Sequence, residues 1–133
     1  MDYRKLVRHA RTARKYSYSP YSRFRVGAAI LTSDGTVFTG CNIENSSLGL
    51  TICAERTAIF KAVSEGHRKF QAMAVVSDEK GFTTPCGACR QVLMDLADNI
   101  DFVMSDRKGL IRVVPLKELL PHPFGKKNLK TKP

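Results

Sequence analysis

Three of the four cysteines constrain the fold of this chain more than any other feature. Cys86 and Cys89 form a Cys-x-x-Cys pair at the start of a predicted helix, so both sulfurs lie on one helix face. Cys53 stands at the start of another predicted helix. The N–H groups of a helix start favour thiolates, and three thiolates suit zinc. We therefore expect the fold to bring two helix starts together around one metal ion.

The number of cysteines indicates an open metal site. A Cys-x-x-Cys pair alone would equally fit a redox site or half of a structural zinc site. A structural zinc site normally has four protein ligands, whereas a catalytic site has three and leaves one position for water. The fourth cysteine, Cys41, lies in a predicted apolar strand and is interpreted as a buried small side chain. We interpret His9, His67 and His122 as surface residues, which leaves three ligands.

Two charged residues follow Cys53 in the same predicted helix. Glu55 lies in the first turn, where its carboxylate can exchange protons with water beside the metal. The same position alone would suit an acid that complements the helix dipole. Zinc with three thiolates carries a net negative charge, which an Arg56 guanidinium near the sulfurs would offset. An ordinary surface position for Arg56 is the equal alternative. The sequence thus predicts a hydrolytic zinc centre.

Alternating periodicities predict a single α/β domain with helices on both faces of one sheet. The predicted order is helix, two strands of a hairpin, helix, strand, helix and two further strands. The second predicted helix would begin at Cys53. The third would begin at Thr84, with Thr84 as N-cap and Pro85 in the first helical position. Residues 116–120 suggest one more helical turn. The predicted ranges are 2–15, 24–31, 36–41, 53–63, 70–77, 84–96, 100–104 and 110–114.

The net charge of +10 is concentrated at the two ends of the chain. Residues 1–25 carry eight Lys and Arg against one Asp, and residues 126–133 carry four Lys. We interpret these ends as a solvated helix face and a mobile Lys-rich tail, which leaves residues 1–125 as the single domain. No apolar run reaches the ~20 residues that cross a bilayer, and no secretory signal is recognised. The expected compartment is the cytoplasm, where thiols stay reduced.

The motifs around these residues resemble those of cytidine deaminases. Zinc deaminases acting on nucleobases combine His or Cys ligands with a Glu that is not a ligand and that transfers protons. The short chain with Cys as first ligand resembles the homotetrameric type. The likeness extends from about residue 5 to about residue 124. The matching segments are Tyr18-Ser19-Pro20-Tyr21-Ser22, Phe24, Val26-Gly27-Ala28-Ala29, Gly40-Cys41-Asn42-Ile43-Glu44-Asn45, Cys53-Ala54-Glu55-Arg56-Thr57-Ala58 and Pro85-Cys86-Gly87-Ala88-Cys89-Arg90-Gln91.

The resemblance implies a three-layer α/β/α fold around a mixed five-stranded sheet, and four active sites at the subunit contacts of a homotetramer. It assigns one zinc ion per chain to Cys53, Cys86 and Cys89, proton transfer to Glu55, and compensation of the thiolate charge to Arg56.

The same resemblance implies a nucleoside-binding pocket. Asn42 and Glu44 would hydrogen-bond the ribose hydroxyls, whereas their patterns alone would indicate a turn Asn and a solvated Glu. Phe24, which would otherwise be assigned to the core, would pack against the substrate, as would Ala54. Phe124 would enter the pocket of a neighbouring subunit.

The implied reaction is the hydrolytic deamination of cytidine and 2′-deoxycytidine to uridine and 2′-deoxyuridine, with release of ammonia, in pyrimidine salvage. One alternative is a deaminase of another cytosine-containing substrate, such as a nucleoside antibiotic or a polynucleotide. Binding of the ribose hydroxyls would leave little space for a continuing nucleic-acid backbone, which argues against a polynucleotide. The sequence also shows no stacking aromatics interleaved with basic residues, as a polynucleotide-binding protein would. The other alternative is a non-catalytic zinc module that binds a partner. No membrane partner is expected.

Overall fold

The computed structural model describes residues 1–129. The first helix, α1, spans Tyr3–Arg14, and the Asp2 side chain caps it by accepting a 2.9 Å hydrogen bond from the Arg4 N–H. Its buried residues recur at helical spacing, as predicted: Leu6, Val7, Ala10 and Ala13. The opposite face carries the basic residues of the N-terminal region. The remaining four residues of the Lys-rich tail lie outside the described part of the chain.

A mixed five-stranded sheet forms the centre of the molecule. Its strands lie in the order β2-β1-β3-β4-β5. Only β3 and β4 pair in parallel, because a helix connects them and crosses one face of the sheet. The other neighbours are antiparallel. The strands are β1 (Val26–Thr32), β2 (Val37–Cys41), β3 (Phe70–Ser77), β4 (Asp101–Ser105) and β5 (Ile111–Pro115).

Helices cover both faces of this sheet and form three layers. Alternate side chains of β1 point to opposite faces: Ala29 and Leu31 pack with α1, whereas Ala28 and Ile30 pack with the helices on the other side. The predicted α/β/α architecture is therefore confirmed. The other helices are α2 (Ala54–Ser64), α3 (Gly87–Ala97), α4 (Leu116–Leu119) and α5 (Lys126–Leu129), with a 3₁₀ turn at Leu48–Leu50.

A glycine on β2 lets α2 approach the sheet closely. A Cβ atom on Gly40 would lie 2.5 Å from the Ala58 nitrogen and 2.6 Å from the Ala54 carbonyl oxygen. Both distances are shorter than van der Waals contact allows, so only glycine fits here without displacing the helix. This contact sets the depth of the first turn of α2, which carries Glu55.

The structure differs from the sequence predictions at three places. Helix α3 begins at Gly87 with Cys86 as N-cap, so the predicted start at Thr84 and Pro85 is wrong. The Cys86 sulfur accepts a hydrogen bond from the Cys89 N–H and so caps the helix. The N-cap therefore lies two residues after Thr84, the N-cap that the pattern suggests. Phe24 lies before β1 and not within it. The first residues of the predicted tail form α5.

Among residues 1–129, no helix combines the length and apolar character needed to cross a membrane.

Candidate active site

Two helix starts bring three sulfurs together. Cys53 is the N-cap of α2, Cys86 is the N-cap of α3, and Cys89 lies in the first turn of α3. The three Sγ atoms lie within 4.8 Å of one another. Within residues 1–129, this is the one group of three or more metal-binding side chains that could hold an ion. The sequence prediction of a single cysteine site at two helix starts is confirmed.

The sulfur geometry fits a zinc ion. Zn–S bonds of about 2.3 Å at tetrahedral angles place two sulfurs about 3.8 Å apart. The Sγ atoms of Cys53 and Cys86 are 3.7 Å apart, which matches this value. Those of Cys86 and Cys89 are 3.3 Å apart, which is shorter than this value. Because the Cys86 side chain is exposed, it can move to the longer separation. The three residues are therefore suited to hold zinc and to leave its fourth position to another ligand.

Hydrogen bonds within the cluster stabilise a thiolate at Cys53. The pKa of Cys53 is lowered to about 5, first because Cys89 donates to its sulfur and also because Arg56 does. The Arg56 Nη2 lies 3.3 Å from the Cys53 Sγ. The pKa of Cys89 is raised, because it acts as the donor to Cys53 and is buried. Of the two positions considered for Arg56, its guanidinium thus takes the one beside the Cys53 sulfur, which the family resemblance also implies.

Glu55 lies beside the sulfurs and is shielded from solvent. Its side chain is 4% exposed, in the first turn of α2. Burial raises the pKa of Glu55 to about 7, because desolvation disfavours the carboxylate, and the neighbouring Cys53 charge contributes further. A carboxyl group with a pKa near neutrality exchanges protons readily in both directions, as a general acid and base must.

Asn42 holds the backbone where the loop before β1 enters the strand. Its Oδ1 accepts hydrogen bonds from the Val26 N–H, at 2.9 Å, and from the Ser17 hydroxyl. Its Nδ2 donates to the Phe24 carbonyl oxygen at 2.8 Å. Asn42 is 8% exposed, so it is a buried, hydrogen-bonded residue and not the turn residue that its sequence pattern alone would indicate.

Glu44 clamps the same loop from a second point. Its Oε1 accepts hydrogen bonds from the backbone N–H groups of Tyr21 and Ser22, at 2.9 and 3.1 Å. Its Oε2 accepts from the Ser22 hydroxyl. The Ser22 hydroxyl is the main reason that the pKa of Glu44 is lowered. Glu44 is therefore ionised and fixed in orientation at neutral pH.

The remaining predicted residues lie in different parts of the fold. Ala54 is fully buried in the first turn of α2, and Phe24 is 39% exposed in the loop that Asn42 holds. Phe124 is 57% exposed and lines a groove with residues of the C-terminal half of α3, whereas the cysteines lie at the other end of that helix. None of the other predicted site residues lines that groove.

The residues judged not to be ligands stay outside the cluster. Cys41 lies on β2 and is half-buried, so it is less enclosed than predicted, and burial raises the pKa of its thiol. His9 and His122 are exposed. His67 packs edge-on against the Phe38 ring, with ring centroids 5.1 Å apart.

Sequence reasoning missed three residues that hold the site in place. Ser22 was only part of a motif, and its contact with Glu44 was not foreseen. Asp78 binds Arg25 through two side-chain hydrogen bonds; its position directly after β3 was the available signal. Arg90 donates to the carbonyl oxygens of Pro85 and Leu119, at 2.9 and 2.8 Å, and so ties the cysteine loop to α4.

Comparisons with known proteins agree with this arrangement. Residues 1–104 match the family model described as the cytidine and deoxycytidylate deaminase zinc-binding region. The chain is 49% identical to a cytidine deaminase of Sporosarcina psychrophila, over 97% of this chain and 96% of that protein. It is 51% identical to a cytidine deaminase of Halalkalibacterium halodurans, over 93% of this chain and 95% of that protein.

A solved structure extends the agreement to three dimensions. The crystal structure of cytidine deaminase from Burkholderia pseudomallei superposes with a TM-score of 0.90 at 47% identity, covering 93% of this chain and 100% of that one. With the family model spanning most of the chain, the cysteine cluster and the fold in agreement, the chain belongs to the cytidine and deoxycytidylate deaminase family.

Proposed function

We propose that this protein is a zinc-dependent hydrolase that deaminates cytidine and 2′-deoxycytidine to uridine and 2′-deoxyuridine, with release of ammonia. The observation that carries the proposal is the buried Glu55 in the first turn of α2, whose N-cap Cys53 belongs to a cluster of three cysteines. Three protein ligands leave the fourth position of a zinc ion to another ligand. The relatives of nearly equal length named cytidine deaminase support the choice of substrate.

The side chains of the cluster perform distinct tasks. Cys53, Cys86 and Cys89 would hold zinc, which would supply the Lewis acidity that activates water. Glu55 accepts a proton from water and delivers it to the pyrimidine N3 while oxygen adds to C4. Glu55 then carries the second proton of that water from the new C4 hydroxyl to the amino group, the C4–N bond breaks, and ammonia leaves. Arg56 offsets the negative charge of the thiolates.

The nucleoside would be held by the loop before β1, the residues that follow β2 and the first turn of α2. Glu44 and Asn42 are assigned to the sugar hydroxyls, and Phe24 and Ala54 to contacts with the substrate. In support, the Glu44 carboxylate is ionised and fixed in position, and charged acceptors make strong hydrogen bonds to hydroxyl groups.

We also infer a homotetramer with active sites at its subunit contacts. Single-chain proteins seldom expose several large apolar side chains in one patch. Four such side chains are exposed in the loop after β2 and on α2, and all but Leu48 line one groove with Glu44. They are Ile43 (45%), Leu48 (74%), Leu50 (65%) and Phe60 (44%). The exposed Phe124 lines a groove at the end of α3 opposite the cysteines of its own chain, which suits a ring that enters a neighbour's pocket.

A cytoplasmic role in pyrimidine salvage agrees with this chemistry. A metal site of three thiols requires reduced cysteines, which a reducing compartment maintains.

A substrate assay tests the proposal directly. Zinc-loaded protein should release ammonia from cytidine and change its near-UV absorbance, and removal of the metal with a chelator should abolish both signals. Single-stranded DNA and a nucleoside antibiotic run in parallel distinguish the alternative substrates. The absence of turnover by zinc-loaded protein would contradict the proposal and favour a non-catalytic zinc module.

A further inference from the structure

We propose that Ser22 is a positioning residue for the sugar of the substrate, and that it acts by holding the Glu44 carboxylate in one orientation. The inference rests on the proposed function, because it takes Glu44 as the acceptor of a sugar hydroxyl. It goes beyond that function by assigning a role to a loop serine that does not belong to the metal cluster.

The Ser22 hydroxyl joins two parts of the candidate pocket. It donates to the Glu44 Oε2 and accepts a 3.0 Å hydrogen bond from the Phe24 N–H. A serine hydroxyl has a single proton to donate, and here it is given to the carboxylate. The hydroxyl therefore fixes the distance between the acid assigned to the sugar and the backbone of the residue assigned to packing against the substrate.

The hydrogen bonds at Glu44 leave one acceptor position of its carboxylate to a ligand. Each carboxylate oxygen can accept about two hydrogen bonds. The Oε1 atom already accepts from the N–H groups of Tyr21 and Ser22. Oε2 accepts from the Ser22 hydroxyl, which leaves one of its acceptor positions free of those donors. A sugar hydroxyl can thus bind Oε2 without displacing the loop, and the Ser22 hydroxyl decides in which direction that position points.

Other contacts hold the loop without the Ser22 hydroxyl. The Glu44 N–H donates to the Tyr18 carbonyl oxygen at 2.8 Å, and the Arg25 guanidinium donates to Asp78 at 2.9 Å. The Asn42 side chain binds the Phe24 carbonyl oxygen. We therefore expect a Ser22→Ala variant to keep the fold and the loop. It loses the alignment of Oε2 and the hydrogen bond from the Phe24 N–H.

The test measures binding, which does not depend on turnover. Titration calorimetry gives dissociation constants of the zinc-loaded protein for uridine and for 2′,3′-dideoxyuridine, which lacks the ring hydroxyls. In Ser22→Ala, the dissociation constant for uridine should rise by about 10-fold, in the range for hydrogen bonds to charged groups. The constant for the dideoxy analogue should change less than about twofold. Ser22→Thr keeps a hydroxyl, so it should restore most of the difference between the dissociation constants for uridine and the dideoxy analogue.

A matched variant and a folding check make the result decisive. Ser33→Ala lies in the exposed turn of the β1-β2 hairpin and should leave both constants unchanged. All variants should melt within a few degrees of the wild type. Equal weakening of both ligands, or unchanged binding of uridine, would overturn the role of Ser22. A wild-type protein that binds uridine but releases no ammonia from cytidine would instead contradict the proposed function.

Discussion

At the scale of single residues, the environment of Glu55 determines its chemistry. An acid in the first turn of a helix is normally solvated and ionised, because it complements the helix dipole. Here the packing of α2 against the sheet leaves only 4% of Glu55 exposed and raises its pKa to about 7. The carboxyl group, which a first-turn position alone would leave ionised, can therefore accept and release a proton near neutral pH.

Replacement of this carboxyl group should stop the reaction without emptying the metal site. Glu55→Gln preserves the shape of the side chain but cannot accept a proton, so turnover of cytidine should fall by about 10²- to 10⁴-fold. Zinc content should remain near one per chain, because Glu55 is not among the three ligands. Ammonia release and metal analysis are the measurements. Glu65→Gln, at the exposed end of α2, is the control, and unchanged turnover in Glu55→Gln would refute the mechanism.

At the scale of elements, the contact between β2 and α2 positions the catalytic helix. The helix approaches so closely at Gly40 that its backbone leaves no space for a Cβ atom. On α3, the sulfur of Cys86 replaces the side-chain oxygen that usually caps a helix. The pattern Thr84-Pro85 is a common helix start, so sequence rules placed the start too early. The sequence rules for N-caps are based on side-chain oxygens, so they do not predict a cysteine sulfur in that role.

A methyl group at Gly40 should push α2 away from the sheet. Gly40→Ala should lower the free energy of unfolding by about 1–3 kcal/mol, as overpacking does. It should also weaken zinc retention, because Cys53 moves with the helix. Urea unfolding and zinc release to a chelator measure the two effects. Gly81→Ala, where a Cβ atom meets nothing within 4 Å, should be nearly neutral. Equal stability of the two variants would show that the contact at Gly40 is not tight.

At the scale of the whole molecule, charge and apolar surface are unevenly distributed. Within residues 1–129, both ion pairs involve Asp78, which meets Arg14 and Arg25. Most basic residues of α1 therefore face solvent without an acidic partner, in keeping with the solvated helix face expected from the sequence. A group of exposed apolar side chains lies away from α1, in the groove between the loop after β2 and α2, where we place a subunit contact: Ile43, Leu50 and Phe60.

A charge placed in this apolar patch should separate the subunits. Leu50 is 65% exposed in the single chain, so Leu50→Glu should be harmless to the fold of one chain but costly in a buried contact. Analytical ultracentrifugation should give the mass of four chains for the wild type and a smaller mass for the variant, with loss of activity. Leu110→Glu, at a leucine that is 63% exposed, is the matched control. A wild-type protein that sediments as a single chain would contradict the tetramer.

The sequence by itself determined the features that depend on neighbouring residues. The spacing of Leu6, Val7 and Ala10 predicted α1, and the count and positions of the cysteines predicted one three-sulfur site, because periodicity and ligand chemistry are local properties. The tertiary structure alone decided which distant groups meet. Ser22 reaches Glu44 where the fold brings two distant segments together, and Tyr18 pairs with Ile43 there in an isolated bridge.

The same distinction applies to the metal site that the sequence predicted. Cys53, Cys86 and Cys89 were recognised as ligands from their chemistry, but the separation of their sulfurs and the burial of Glu55 follow from the way α2 and α3 pack on one face of the sheet. Burial and orientation are set by contacts between residues far apart in the chain, and no local pattern contains them. These contacts give the Glu55 carboxyl group a pKa near neutrality, which its position in a helix does not.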